Sequence, residues 1–98
     1  MKKKDYYVYE LKDGHEVVYY GITNNPDRRF IEHVNSDKRW TQNCTIKGPM
    51  DKENADIEED MLICFYQDSH GGKPPRYNKK KTALHPYLQK SLERKRIF

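Results

Sequence analysis

The chain has 98 residues, which suits one domain with a small core, because a chain of this size buries only roughly 60–70% of its unfolded surface. Charged and hydrophobic residues each make up 35%, a polar balance, but eight tyrosines, three phenylalanines and one tryptophan supply the burial that a disordered chain lacks. The net charge of +4 favours contact with polyanions; no apolar run is long enough to span a membrane, no signal-peptide core follows the basic start, and Cys44 and Cys64 form no CxxC pair, so the chain reads as a cytoplasmic protein with inert thiols rather than a disulfide scaffold.

Residues Tyr6 to Leu11 alternate and are rich in aromatic and β-branched types, as a strand requires. Asp13-Gly14 signals a hairpin turn, and Glu16 to Ile22 reads as the return strand. Asn25 can accept from the first free amides of a helix, and Pro26 suits its first position. That helix is expected to run to about Val34, with Phe30, Ile31 and Val34 on its apolar side. Trp40 to Lys47 can form a third strand, broken by Gly48-Pro49. Asp51 can cap a second helix over about Lys52 to Gln67, with Ala55, Ile57, Met61, Leu62, Phe65 and Tyr66 on its apolar face. Gly71-Gly72 and Pro74-Pro75 prevent its continuation, and a last short helix is expected over Pro86 to Arg94. Together these elements describe an α+β domain, a small three-stranded antiparallel sheet flanked by helices, occupying the whole chain.

Four segments carry chemistry suited to phosphodiester hydrolysis, which needs an activated water, a cation to offset developing charge and a hold on the scissile phosphate. They are Tyr7-Val8-Tyr9, Tyr19-Tyr20-Gly21, the helix segment Arg28 to His33, and Glu59 followed by Pro75-Arg76-Tyr77-Asn78. Arginine clamps phosphate through forked hydrogen bonds, a carboxylate holds a divalent metal, and a tyrosine can deprotonate water if nearby positive charge lowers its pKa. Arg29 and His33 are four apart and share a helix face. Taken singly each segment has a plainer reading: strand tyrosines usually pack, helix arginines are usually solvated, and Glu58-Glu59-Asp60 looks like an acidic helix surface. Their order along the chain is what carries weight.

That order resembles the GIY-YIG nuclease family, named for two tripeptides on adjacent strands. Here they correspond to Tyr7-Val8-Tyr9 and Tyr19-Tyr20-Gly21, with Tyr7 in place of glycine and Tyr20 in place of isoleucine. The run from Tyr19 through Asn24-Asn25-Pro26 to Arg29 looks like the family's second strand, turn and helix start, and His33 matches a histidine common there. Glu59-Asp60-Met61-Leu62-Ile63 is similar to the family's metal-binding segment, with Glu58 as the adjacent alternative, and Pro75-Arg76-Tyr77-Asn78 to its Pro-x-Tyr-Asn element. The resemblance implies an endonuclease that hydrolyses DNA to a 5′-phosphate and a 3′-hydroxyl with one divalent ion, magnesium or manganese, on Glu59. It implies Tyr9 as general base, Tyr19 in the same network, Arg29 on the scissile phosphate, and His33 and Asn78 in support.

Arg28 and Lys79, Lys80 and Lys81 are expected to add backbone contacts to the nucleic acid. Few residues follow Asn78, so specificity is expected from a partner protein, a homodimer or loose recognition, in the cytoplasm or on the nucleoid. Two other readings stay open from the residues: a nucleic-acid-binding module without cleavage, and a protein-interaction domain whose tyrosines are only core. His15, His70 and His85 are expected to face solvent, and Trp40 to pack at the core or sheet edge.

Overall fold

A computed structural model describes residues 3–78. The expected helix over Pro86 to Arg94, and Lys79, Lys80, Lys81 and His85, lie outside the described residues. The element order is β1 (Tyr6–Asp13), β2 (Glu16–Thr23), α1 (Pro26–Val34), β3 (Gln42–Met50) and α2 (Lys52–Ser69). The three strands form one antiparallel sheet in the order β2-β1-β3, so the expected α+β architecture holds.

The hairpin turn falls on Gly14-His15, with Asp13 and Glu16 paired across it. Among these only Gly14 has positive φ, at 64°, which is what a two-residue II′ loop asks of its first position. A bulge between Leu11 and Lys12 then leaves Val18 without a direct partner. Leu11 faces Tyr19 and Tyr9 faces Gly21, so Tyr9, Leu11 and Tyr19 project to one side. Tyr9, Leu11 and Val18 are wholly buried there and form the core, with Tyr19, Phe30, Trp40 and Tyr77 packed against them.

α1 begins as its sequence demands: Asn25 Oδ1 accepts from the Arg28 amide and Pro26 takes the first turn. Its buried face corrects the sequence expectation. Ile31 and Val34 are 62% and 66% exposed, whereas His33 is 1% exposed. Residues 26, 29, 30 and 33 share a face at helical spacing, and that face meets the tyrosine side of the sheet. A histidine can take the central position because Tyr9 offers it a hydrogen bond.

β3 also departs from expectation, beginning at Gln42 and running through Gly48-Pro49 to Met50 instead of stopping before it. The strand lies at the sheet edge, where a proline's missing N–H need not leave a ladder partner unpaired, and its pairing to β1 is bulged on both sides of Val8. Its side chains are exposed from Gln42 to Pro49, Cys44 included, so that thiol is not a buried one.

α2 is capped by Asp51, which accepts from the Asn54 amide, and it continues to Ser69. Ala55 and Ile63 are its buried residues, while Phe65, expected on the apolar face, is 54% exposed. The helix packs on β2 and β1. Tyr20, which alternates with Tyr19 and points to the other side of the sheet, lines a groove of about 360 Å³ with Leu62, Phe65 and Tyr66. α1 and α2 therefore cover opposite faces. His15 and His70 are exposed as expected, although His70 also stacks on Tyr66 at 3.7 Å. No helix among the described residues is long and apolar enough to cross a membrane.

Candidate active site

On the face covered by α1, four of the expected residues meet. Tyr9 Oη lies 2.8 Å from His33 Nε2 and accepts a hydrogen bond from Arg29 Nε at 3.2 Å. The Tyr19 ring stands 6.1 Å from the Tyr9 ring and 5.1 Å from the His33 ring, edge-on to the latter. Phe30 meets Tyr9 edge to face at 5.4 Å and walls the pair from the helix side.

Gly21 explains how two tyrosines fit this space. A Cβ at position 21 would lie 2.5 Å from Tyr9 Oη and 2.8 Å from Tyr19 Cε2. Only a glycine lets the Tyr9 hydroxyl sit against the neighbouring strand. The closing glycine of the second tripeptide is thus a steric requirement of the site.

The electrostatics follow from burial and crowded positive charge. Burial, and then the neighbouring Tyr19, push the Tyr9 hydroxyl well above the usual phenol range, against the pull of Arg29. The expectation that positive charge would lower a tyrosine pKa is therefore reversed at Tyr9, because desolvation outweighs the guanidinium. Burial also opposes the charge on Arg29, yet the hydroxyls of Tyr9 and Tyr19 hold that guanidinium firmly protonated. His33 is held down at about 4, by burial first and then by Arg29 and Lys38, so its ring is neutral at pH 7.

Two further side chains belong to this cluster and had little sequence signal. Glu32 pairs with Arg29 at 3.3 Å, an i,i+3 spacing visible in the helix but easily read as surface charge. Lys38, in the loop after α1, places its ammonium 5.5 Å from the Tyr19 ring centroid, and no local pattern marks it. Arg28 is exposed on the outer side of the helix start.

Asn78 acts on the backbone. Its Oδ1 accepts from the Tyr20 amide and its Nδ2 donates to the Tyr20 carbonyl, both at 2.9 Å, while the Tyr77 amide donates to the Val18 carbonyl. The Pro75-Tyr77-Asn78 element therefore closes the outer edge of β2 at Tyr20, between Tyr19 and Gly21. Trp40 packs against the core and donates Nε1–H to the His33 carbonyl at 3.4 Å, as a packing residue should.

Glu59 comes from α2, on the other face of the sheet, and is not among the four expected residues that meet at Tyr9. It is half-buried and lies at positions i+4 and i−4 from the two buried residues Ala55 and Ile63, on the helix stripe turned toward the sheet. Glu58 is engaged by Lys47 of β3 at 2.9 Å. Among the described residues no group of three or more His, Cys, Asp or Glu side chains could hold a metal ion. A site with one protein carboxylate, completed by waters and a substrate phosphate, suits Mg²⁺, which keeps much of its hydration shell.

Comparison with known families finds one match, to the GIY-YIG catalytic domain over residues 5–70. No curated protein and no solved structure gives a match. The matched segment spans both tripeptides, α1 and all of α2, and on that basis the chain belongs to the GIY-YIG family, a family of nucleases that cleave DNA.

Proposed function

We propose that this chain is itself an active, divalent-metal-dependent endonuclease that hydrolyses the DNA backbone at the Tyr9 cluster. The observation that carries this reading is the contact of the Tyr9 hydroxyl with both Arg29 Nε and His33 Nε2. A hydroxyl that accepts from arginine and donates to a neutral imidazole has a ready route for its proton. The ring proton of His33 then sits on Nδ1, leaving Nε2 to accept.

The proton bookkeeping works without an ionised tyrosine at rest. As a water attacks phosphorus, its proton passes by way of the half-buried Tyr19 hydroxyl to the buried Tyr9 Oη while the proton of Tyr9 passes to His33 Nε2, which becomes basic enough to take it once the bound phosphate offsets the positive charge of Arg29. The water oxygen bonds to phosphorus, the P–O3′ bond breaks, and the electron pair leaves with the 3′ oxygen, which takes a proton from solvent to become the 3′-hydroxyl while His33 releases its own to solvent. Arg29 binds the scissile phosphate and offsets the charge that builds on its oxygens. Tyr19 orders the water, and Asn78 holds the β2 backbone that presents Tyr19. In this reading Glu59, across the sheet from the tyrosine pair, would hold a Mg²⁺ or Mn²⁺ ion, which when bound supplies a Lewis acid for the DNA backbone.

DNA is the substrate of this reading. In this reading Arg28 and the lysines Lys79, Lys80 and Lys81 contribute contacts to its backbone, and a partner protein or a second copy of the chain supplies specificity. The test is nicking of supercoiled plasmid, with magnesium and with EDTA, by wild type, Arg29→Ala and Glu59→Ala. Cleavage by wild type in magnesium, with a loss of about 10²–10³-fold in Arg29→Ala, is expected. Glu59→Ala should fall to the level seen in EDTA. Undiminished cutting by both variants would overturn the assignment; binding by wild type without cutting would leave a recognition module.

A further inference from the structure

The loop that follows α1 is more tightly fixed than a connection needs to be. Ser36 Oγ donates to the His33 carbonyl at 2.6 Å and accepts from the Lys38 amide at 3.2 Å. The Arg39 amide donates to the Tyr77 hydroxyl at 2.9 Å, and the Trp40 indole returns to the His33 carbonyl. Residues on both sides of Lys38 are thereby tied to the end of α1 and to the segment that closes β2. The result is a half-buried lysine whose ammonium sits over the Tyr19 ring.

This placement crowds positive charge. Arg29 stands at the Tyr9 hydroxyl and Lys38 over Tyr19, so the two cations bracket the tyrosine pair. Arg29 has Glu32 as a counter-charge, but among the described residues no ion pair engages Lys38. Both cations act on His33 between them. A fold that holds two cations beside a buried imidazole with a single carboxylate carries electrostatic repulsion that an anion bound between them would relieve.

We propose that Lys38 is a substrate-binding cation that takes a backbone phosphate adjacent to the one held by Arg29, so that the two cations grip two phosphates across the tyrosine pair. The proposal rests on the nuclease reading and extends it to a residue outside the matched tripeptides and helix. The aromatic face beneath the ammonium limits where the lysine can swing, which prepares it for a point-charge contact with phosphate. Its role is positioning and binding.

The test compares wild type, Lys38→Met, Lys38→Arg and, as an off-site control, Lys47→Met. Affinity for a short fluorescein-labelled DNA duplex is read by anisotropy in EDTA over a range of NaCl, and cleavage kinetics are read in magnesium. Lys38→Met should bind about tenfold more weakly at low salt, and its log–log salt slope should fall by about 0.9, one phosphate contact. KM should rise with kcat changed less than about threefold. Lys38→Arg should restore the slope, and Lys47→Met should bind more like wild type than Lys38→Met does. Wild-type affinity and slope in Lys38→Met would overturn the proposal while leaving the nuclease reading intact, since wild type still cuts. A loss confined to kcat, with the slope unchanged, would also overturn it, by making Lys38 a prop for Tyr19. A wild type that neither binds nor cuts would remove both.

Discussion

β2 and β3 flank the same central strand, yet they are built differently. β2 buries Val18, Tyr20, Gly21 and Thr23, and its outer edge is stitched by Tyr77 and Asn78. β3 has no buried residue, and two bulges interrupt its pairing to β1. The strand that carries Tyr19 and Gly21 thus has neighbours on both edges and both faces, whereas β3 mainly completes the sheet. Sites that depend on placement within about half an ångström belong on elements locked in this way. The comparison predicts that substitutions on the β2 side reach the chemistry and those on β3 do not.

Gly21→Ala should have the largest effect. The added methyl meets the Tyr9 hydroxyl and the Tyr19 ring, and Tyr9 is wholly buried against Phe30 and His33, so the ring has no free space to withdraw into. Overpacking of this kind costs about 1–3 kcal/mol, and a displacement near 1 Å lowers cleavage about 100-fold. Thermal unfolding and plasmid nicking measure the two effects. A variant that cuts like wild type would show that the Tyr9 position is not critical.

His33 gives the next effect, and a pH signature that β3 has no means to produce. The native ring titrates at about 4, whereas an unfolded histidine titrates near 6.5. Between these values the unfolded chain binds a proton that the native state refuses, so stability rises with pH there. The contribution is complete above about pH 6.5 and is lost as the pH falls toward 4, up to roughly 3 kcal/mol. Denaturant unfolding of wild type should show this slope, and His33→Gln should flatten it. An equal slope in both proteins would mean that His33 does not resist protonation in the fold.

The same contrast explains what could be read from the sequence. The hairpin, the Asn25-Pro26 helix start and the Tyr19 to Arg29 run are local patterns, and local chemistry decided them. The face of α1 was not legible by counting apolar residues, because His33 is buried by virtue of a hydroxyl twenty-four positions earlier. Lys38 was invisible for a related reason: only the tertiary placement of its loop brings it to Tyr19. Sequence pattern alone ends β3 at Gly48-Pro49, because a proline ends a central strand and the sequence does not announce which strands are edges. The position of Glu59 between Ala55 and Ile63 is implicit in helical spacing, but the sheet face on which α2 packs is not.

β3 supplies the smallest expected effect and the sharpest check on the comparison. Cys44 is exposed, and Ile46 is 42% exposed and falls between Thr45 and Lys47, where the register to β1 shifts. Cys44→Ser and Ile46→Thr both keep side chains that a strand accepts, and neither position touches the Tyr9 cluster directly. Each should change stability by no more than about 0.5 kcal/mol, the ordinary range for a surface position. Cleavage should stay within about twofold, since no group that moves a proton or binds phosphate in the proposed mechanism lies on that strand. A tenfold loss of cleavage at unchanged melting temperature would contradict this directly. It would place the substrate across β3 as well as over the tyrosine pair, and the exposed strand would then be a contact surface instead of a scaffold.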